Sequence, residues 1–314
     1  MDHQLFQNFI TVAGQVAVVF IIIALGWFSG KTNMLSREAC EGMASITVNI
    51  VTPALILMAF QREFESHLMQ GFLLNLAGVV ACYLVSLALG WTVFRRQSAG
   101  RRGVLAVSCA FGNLGMMALP LQEGLFGSEG VFYSAAGMGM FQLVFWSLGL
   151  VAITGRAESR SVMLKNLFNP GLIAAVVGLV LFYGSVTLPA VPTRVMNSLA
   201  GLNMPLCMLI IGYRLSGMPL ASLFREKAVW ASAVLRLVLL PMLVTLALYG
   251  LGFRGVAAVC LVIAAAAPVA ASVNIVALTY KREADLAARV TSMQTLLSML
   301  TMPLVILFAY GFLM

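Results

Sequence analysis

The hydrophobic residues of this chain form long, nearly uninterrupted runs that are separated by short polar connections. Most of the runs reach or exceed the roughly 20 residues that an α-helix needs to cross the hydrocarbon core of a bilayer. The pattern therefore predicts an all-α membrane protein with ten transmembrane helices. The ten runs are Phe9–Phe28, Cys40–Phe60, Met69–Phe94, Gly103–Leu125, Gly130–Thr154, Pro170–Phe182, Leu199–Gly212, Lys227–Gly250, Gly255–Tyr280 and Leu286–Leu313.

The composition excludes the main alternatives to a membrane protein. Of the 314 residues, 61% are hydrophobic and only 10% are charged, whereas soluble domains carry about 25% charged residues. Disordered chains combine low hydrophobicity with high charge and are excluded as well. The five cysteines include no C-x-x-C pair and lie in or beside apolar runs. We therefore expect no disulfide framework, no metal site and no cofactor.

The basic residues predict the orientation of the chain in the membrane. When the loops are assigned alternately to the two sides, fifteen of the nineteen basic residues fall on one side and three on the other. Loops rich in Lys and Arg stay in the cytoplasm. The sequence therefore predicts a multi-pass protein of the cell membrane with both termini non-cytoplasmic. The net charge of +8 then reflects topology, and we expect no nucleic-acid partner.

Prolines interrupt four of the runs at matched positions of two halves. They are Pro53 in the second run, Pro205 in the seventh, Pro120 in the fourth and Pro268 in the ninth. A proline removes a backbone donor and clashes with the preceding turn, and in lipid the freed groups must find partners in protein or in a watery cavity. The matched prolines lie 152 and 148 residues apart, which favours a duplicated architecture over isolated helix kinks.

Two halves of five helices each must have opposite orientations, because five is odd. We therefore predict a first five-helix repeat at residues 1–155, a cytoplasmic linker at 156–165, and a second, inverted repeat at 166–314. Inverted repeats with interrupted helices at corresponding positions mark the substrate site of many transporters. The alternative is that the prolines merely kink membrane helices, which is common.

The interrupted helices suggest how an anion could be bound. If the fourth and ninth helices cross where they break, the N-termini of two half-helices converge and can hold a carboxylate without a formal positive charge. Asn113, Ser272 and Asn274 would add neutral donors and acceptors beside these breaks. Gln142 is either a further ligand or a helix–helix hydrogen-bonding residue. Accessory positions flank the breaks of the second and seventh runs, at Asn49, Pro53, Asn203 and Pro205.

Arg236 is the one basic residue well inside a run, and an intramembrane charge is expected to have a partner. It either caps carbonyls freed by a broken helix or contributes field for an anion. All eleven acidic residues lie in loops or near run ends, and Glu123 alone lies near a break. A carboxylate relay for protons through the midplane is therefore not expected, and coupling to H⁺ or Na⁺ stays open.

Enzymatic functions are not expected. The two histidines and the two aspartates all lie outside the runs, so H-E-x-x-H zinc chemistry, a Ser–His dyad and an aspartyl pair are missing. The segment Gly30-Lys31-Thr32 lacks the first glycine of a phosphate loop, because position 25 is Leu. ATP-driven transport by this chain alone is not expected either.

Several of these residues also form a pattern typical of one family. The sequence strongly resembles the auxin efflux carrier family, which includes bacterial members and the plant auxin carriers, over nearly its whole length. The stretches that carry the resemblance are Asn113-x6-Pro120-Leu121-x5-Gly127, Gln142-x3-Trp146, Asn169-Pro170, Pro205-Leu206-x5-Gly212, and Pro268-x8-Ala277-x-x-Tyr280 followed by Pro303.

The resemblance implies a fold related to the bile acid/sodium symporters: ten helices in two inverted repeats, with helices 4 and 9 broken where they cross. It implies a scaffold of helices 1, 2, 6 and 7, a mobile transport domain that carries a midplane anion site, elevator-type alternating access, and a homodimer. By this analogy Asn113, Pro120, Gln142 and Pro268 are substrate-binding positions.

Two departures from the plant pattern bear on the substrate. Plant carriers have an Asp and a Lys four residues apart in the third helix, where this chain has Asn75 and Val79, and their long hydrophilic central loop is absent here. The resemblance therefore favours a bacterial-type carrier of a small carboxylate, such as malonate or malate, over one of auxin. The alternatives are a transport-deficient membrane sensor or interaction protein on the same fold, and a channel.

Overall fold

In this computed structural model the described residues are 2–156, 169–217 and 226–314, and they form helices and no strand. The predicted linker lies outside the described residues from residue 157 onward. The first seven helices are α1 Asp2–Lys31, α2 Arg37–Ile46, α3 Thr52–Ala59, α4 Ser66–Val93, α5 Ala99–Ala110, α6 Leu119–Val144 and α7 Leu150–Thr154. The remaining eight are α8 Pro170–Tyr183, α9 Ala190–Ala200, α10 Asn203–Ser216, α11 Lys227–Val234, α12 Leu240–Gly250, α13 Val256–Ala266, α14 Ala271–Thr279 and α15 Ala284–Leu313.

Several helical stretches are long and apolar enough to cross a bilayer. Among the described residues there are six long apolar helical stretches and three shorter ones, and together they indicate a multi-pass membrane protein. The shorter ones are Ala17–Lys31, Pro170–Tyr183 and Val256–Ala266. The long ones are Arg37–Ala59, Ser66–Val93, Leu114–Thr154, Ala190–Ser216, Lys227–Gly250 and Ala284–Leu313.

The stretch Leu114–Thr154 is not one straight rod, because the backbone of α6 reverses at Gly127. This residue has φ 56° and ψ −140°, a conformation outside the helical region that glycine adopts without a steric penalty. A Cβ placed on Gly130 would meet the carbonyl oxygen of Gln122, eight residues earlier. The chain therefore folds back on itself here, between the predicted fourth and fifth runs.

Wide π-helical turns precede three prolines inside helical stretches. Each turn ends two residues before its proline. Its central residue is the one four positions before the proline, whose carbonyl would clash with the proline ring in a regular α-helix. The three are Thr47–Val51 before Pro53, Leu114–Ala118 before Pro120, and Leu235–Leu239 before Pro241. The wider turn gives the ring room without ending the helix.

These wide turns correct two expectations, and the position of a third break differs from the predicted one. The predicted breaks at Pro53 and Pro120 are wrong, because at each of them the π turn continues into the next helix without an interruption. The break expected at Pro205 lies slightly earlier, at the turn of Gly201 and Leu202 between α9 and α10. Pro205 itself sits in the first turn of α10, where a helix tolerates proline because the amide has no intrahelical partner.

The chain divides into two compact units. The first comprises residues 1–74, 115–139 and 168–218, and the second comprises 75–114, 140–167 and 219–314. In the first unit α1 packs along α10, and α3 packs against α8 and α9. In the second unit α15 packs against α12, α13 and α5, and α5 also packs against α7.

Close packing of α1 on α10 depends on glycine. A Cβ on Gly26 would meet the backbone carbonyl of Leu209, and one on Gly212 would meet the carbonyl of Ile23. Small residues let two membrane helices approach until their backbones touch, and the gain is van der Waals contact along the whole seam.

We expect Gly26→Ala to lower the melting temperature in detergent, with a cost of about 1–3 kcal/mol, because the atoms in its way are backbone and cannot rotate aside. The matched control is Gly42→Ala in α2, where nothing lies within 4 Å of the added Cβ. That change is expected to stabilise the helix by about 0.5–1 kcal/mol. Equal melting temperatures for the two variants would contradict the packing argument.

Candidate functional site

Two helices of the second unit are interrupted at the same place in space. The helix α5 ends at Ala110, α13 ends at Ala266, and each continues into an extended segment. Gly112 and Val269 pair as in an antiparallel ladder. The amide of Asn113 donates to the carbonyl of Pro268 at 2.7 Å, and the amide of Ala270 donates to the carbonyl of Phe111 at 2.9 Å. We call these paired segments, residues 111–113 and 267–270, the crossing. The interruption predicted at Pro268 is thus present, whereas that of the fourth run lies at residues 111–113, seven residues before the predicted position at Pro120.

Arg236 lies against the crossing with its side chain buried to 1% exposure. Its guanidinium donates hydrogen bonds to four backbone carbonyls. The acceptors are the oxygens of Ala267 at 2.8 Å, Ala110 at 2.8 Å, Cys109 at 3.2 Å and Ala264 at 3.2 Å. Two of them belong to the last turn of α5, and two belong to the end of α13 and the residue that follows it.

These contacts explain how a charge is tolerated inside an apolar stretch. The last carbonyls of a helix have no intrahelical donor, and together they carry a partial negative charge. One planar guanidinium with five donors satisfies such carbonyls from both interrupted helices at once. Of the two interpretations of Arg236, capping is the one that its contacts show; an effect of its field on an anion stays a prediction.

Gly112 leaves the space that this arrangement needs. A Cβ on Gly112 would meet Nη2 of Arg236 and would lie 3.2 Å from the carbonyl oxygen of Ala267. Only a residue without a side chain lets the guanidinium reach both helix ends.

Sequence reasoning missed the residue that supports the other segment of the crossing. The side chain of Gln294 on α15 is fully buried. Its Oε1 accepts from the amide of Val269 at 2.9 Å, and its Nε2 lies 3.5 Å from Oγ of Ser232. The available signal was an amide inside the last apolar run, which predicts a buried hydrogen-bond partner.

Aromatic rings pack against the first segment of the crossing. The ring of Tyr83 stacks on Phe111 with centroids 4.8 Å apart, and Phe145 meets Phe111 edge-on at 5.3 Å. Phe141 stacks on Phe145 at 5.1 Å. These contacts fix the helix that carries Gln142 beside the crossing, and they make the surroundings of the extended backbone apolar.

Gln142 itself is half-buried, and its Oε1 accepts from Nε1 of Trp146 at 2.9 Å. This bond holds the amide along its own helix. Among the described contacts none joins Gln142 to the crossing, so a role in ligand binding stays a prediction.

The N-terminus of α14 provides the donors at the crossing. The backbone amides of Ala271 and Ser272 have no acceptor among the described residues, as at other helix starts. The side chains of Ser272 and Asn274 lie in the first two turns of this helix and are half-buried. The arrangement offers hydrogen-bond donors at the positive end of a helix dipole, which is what a carboxylate needs.

The remaining candidates lie in the first unit. Pro120 is the second residue of α6. Asn203 is fully buried and accepts a hydrogen bond from Oγ1 of Thr52 at 2.9 Å. The amide of Asn49 is exposed and donates to the carbonyl of Ser45 in its own helix at 2.9 Å, and Pro53 and Pro205 lie in helical turns. The structure therefore gathers Asn113, Pro268, Ser272, Asn274 and Arg236 in the second unit, and the accessory positions apart from Arg236 in the first.

The two residues that depart from the plant pattern lie on α4. Asn75 is buried, and its Nδ2 donates to the carbonyl of Ala257 at 2.9 Å, while Val79 is part of the apolar core. At these two positions the chain has a neutral amide bound to backbone and an aliphatic side chain.

Comparisons with known proteins relate this chain to membrane transport proteins. The sequence profile of a family described as "Membrane transport protein" matches residues 11–162 and 156–306. An uncharacterized transporter of Methanothermobacter thermautotrophicus is 27% identical over 299 residues, which cover 92% of this chain and 95% of that protein. An uncharacterized transporter of Methanocaldococcus jannaschii is 27% identical over 213 residues, with 64% of this chain and 68% of that protein covered. Protein PIN-LIKES 1 of Arabidopsis thaliana is 28% identical over 126 residues, or 38% of this chain and 26% of that protein.

Proposed function

Because the chain belongs to the auxin efflux carrier family of membrane transport proteins, we propose that it is a secondary transporter of a small organic anion. It is a transporter and not an enzyme. The proposed substrate class is a small carboxylate such as malonate or malate, and the proposed location is the cell membrane, with both termini non-cytoplasmic.

The observation that carries this proposal is the pairing of Asn113 with Pro268 at the crossing, with Arg236 buried against it. Arg236 neutralises the carbonyl ends of α5 and α13, which would otherwise repel an anion. The amide donors at the start of α14 then face no competing negative charge from those helix ends. In surroundings of low dielectric constant, such partial charges interact more strongly with an anion than they would in water.

Within this proposal, the carboxylate accepts hydrogen bonds from the first amides of α14 and from Ser272, Asn274 and Asn113. Pro268 keeps the backbone at the break of the ninth run from closing into a continuous helix, because it cannot donate an intrahelical hydrogen bond. Pro120 lies in the first turn of α6, the helix that follows the break of the fourth run. Gln142 binds the anion when the hydrogen bond between its side chain and Trp146 is broken.

We further propose ten membrane-spanning helices in two inverted repeats of five and elevator-type alternating access in a homodimer. An elevator needs one group of helices that carries the substrate and another that stays fixed. The division into two compact units supports this mechanism. Of the ten predicted helices, helices 1, 2, 6 and 7 of the proposed scaffold fall in the first unit. Helices 8, 9 and 10 and most of helix 3 fall in the second unit, and helices 4 and 5 are divided between the two.

The test is exchange of labelled malonate and malate in vesicles that contain the purified protein. Asn113→Ala and Pro268→Ala are each expected to lower the initial exchange rate by at least about tenfold, which corresponds to roughly 1.4 kcal/mol of lost transition-state binding. The matched controls are Gln70→Ala, an exposed amide on α4, and Pro192→Ala, an exposed proline in the first turn of α9; both are expected to exchange like the wild type.

Three results would change the proposal. Unaltered exchange in both site variants would falsify the assignment of the site. The absence of any flux in wild-type vesicles, together with thermal stabilisation by the anion, would favour the sensor. Flux that neither saturates nor supports exchange would favour a channel.

A further inference from the structure

A cavity of about 410 Å³ lies inside the first compact unit. It is lined by one face of α3, by the beginning of α6 around its reversal at Gly127, and by the end of α9. Its wall includes Leu55, Met58, Val131, Ser128, Asn197 and Glu123. Glu123 is the single acidic residue of this lining, and the other lining side chains carry no charge. Its carboxyl group is therefore the one group of the lining that can be ionised.

Glu123 is held in place by a short chain of hydrogen bonds. Oγ1 of Thr52 donates to Oδ1 of Asn203 at 2.9 Å, and Nδ2 of Asn203 lies 3.3 Å from Oε2 of Glu123. Both Thr52 and Asn203 are buried. Because the hydroxyl of Thr52 occupies the oxygen of the Asn203 amide, the donor end of that amide is directed at the carboxyl group. One oxygen of Glu123 thus has a fixed donor, and the other is available at the cavity.

The elements packed around this carboxyl carry few charged or titratable groups, and the cation Arg62 is engaged elsewhere. Arg62, which follows α3, donates from Nε to the carbonyl of Ala59 at 3.0 Å and from Nη2 to Oγ of Ser128 at 2.6 Å. The other groups on the packed elements are the acid Glu129 on α6, the thiol of Cys207 on α10, 4.0 Å from Oδ1 of Asn203, and the exposed Arg194 on α9. Within the described part of the chain, no Lys, Arg or His forms a salt bridge with Glu123.

A half-buried carboxylate without a cationic partner is costly unless something neutralises it. A metal cation would require several oxygen ligands, but the oxygens of Thr52 and Asn203 are already paired with each other and Oγ of Ser128 already accepts from Arg62, which leaves Asn197 as the other side-chain oxygen of the lining. A proton requires only one oxygen. It adds to the oxygen of Glu123 at the cavity, no bond is broken, and the neutral acid keeps its contact with Asn203.

We propose that Glu123 binds the coupling proton of this transporter, taken up and released through the cavity beside it. This inference rests on the proposed transport function and names its driving ion. It does not require a chain of acids across the bilayer, since one carboxyl that is loaded on one side and unloaded on the other is sufficient. Glu123 lies on the same interrupted stretch as Asn113, ten residues further along the chain.

The experiment separates coupling from transport. Vesicles with the membrane potential clamped at zero receive a gradient of one pH unit and labelled malonate or malate. At one proton per substrate, the wild type is expected to accumulate the anion about tenfold, since one pH unit corresponds to a tenfold ratio. Glu123→Gln, which imitates the protonated side chain permanently, is expected to reach only equal concentrations while it still exchanges labelled for unlabelled anion.

The matched control is Glu129→Gln, an acid on the same helix that does not line the cavity; it is expected to accumulate the anion like the wild type. Glu123→Asp keeps a titratable group and is expected to retain part of the accumulation, so it replaces the glutamine variant should that one fail to fold. A carbodiimide that modifies protonated carboxyls is expected to label Glu123 of the wild type and to abolish accumulation.

The outcomes distinguish this inference from the transport proposal. Loss of accumulation with exchange preserved supports proton binding at Glu123. Full accumulation in Glu123→Gln overturns the inference and leaves the transport function intact. Exchange without any accumulation in the wild type also overturns it, because it means that no proton is coupled. The absence of exchange in the wild type contradicts the transport function itself.

Discussion

Arg236→Ala is expected to cause the largest loss of stability and transport of any single change in the second unit. It leaves four buried carbonyls at the ends of two helices without a donor. Each unsatisfied group costs about 1–3 kcal/mol, and removing one partner of a buried charged network costs about 3–5 kcal/mol in total. We expect a clear drop in melting temperature in detergent and exchange at background level in vesicles.

Two further variants make the origin of this loss measurable. Arg254→Ala is the matched control, because Arg254 also donates to helix-end carbonyls, those of Leu248 and Tyr249, but is exposed to solvent; we expect little change. Arg236→Lys keeps the positive charge but loses the planar fork of donors. If capping is the role of Arg236, the lysine variant melts well below the wild type. Stability equal to the wild type, with only the affinity for the anion altered, would contradict the cap and favour a field effect.

Gly112→Ala is expected to have the second-largest effect. The added Cβ would meet Nη2 of Arg236 and approach the carbonyl of Ala267, so either the guanidinium or the backbone of the crossing must move. Overpacking of this kind costs about 1–3 kcal/mol, and we expect exchange to fall by at least about tenfold. Melting curves and exchange rates check both expectations.

The control for this change is Gly115→Ala, three residues further along the chain. Its added Cβ would meet only the flexible end of Met138, at an ordinary 3.7 Å. A double variant tests the mechanism: in the background of Arg236→Ala, Gly112→Ala should cost little more, because both changes act on one network. Fully additive losses would show that the glycine has a separate role.

The sequence predicts those structural features that are determined by residues close together in the chain. Long apolar runs predict membrane helices because the thickness of the bilayer sets their length. The interruption at Pro268 was predictable because proline acts on its own turn, whereas that of the fourth run lies at residues 111–113 and not at Pro120. A charge inside an apolar run also predicts a compensating partner, and Arg236 has four.

What the sequence does not predict depends on contacts between distant segments. The carbonyls bound by Arg236 are 28 to 127 residues away from it along the chain, and no local pattern names them. The amide of Gln294 reaches a segment 25 residues away for the same reason. At Pro53 the sequence predicts a break that the structure does not have. One turn of the helix is a wide π turn, which removes the steric conflict between the proline ring and the preceding backbone.

The position of Arg236 along the chain has a consequence for biosynthesis. When Arg236, in the π turn between α11 and α12, leaves the ribosome, the carbonyls of Cys109 and Ala110 have already been made, but those of Ala264 and Ala267 have not. An arginine at the middle of a helix costs the insertion machinery about 2.5–3.5 kcal/mol, which an otherwise apolar segment can offset. The last two acceptors of this cation therefore become available only when α13 and the residue that follows it have been translated. Newly made chains should depend on that late step for their resistance to proteolytic quality control.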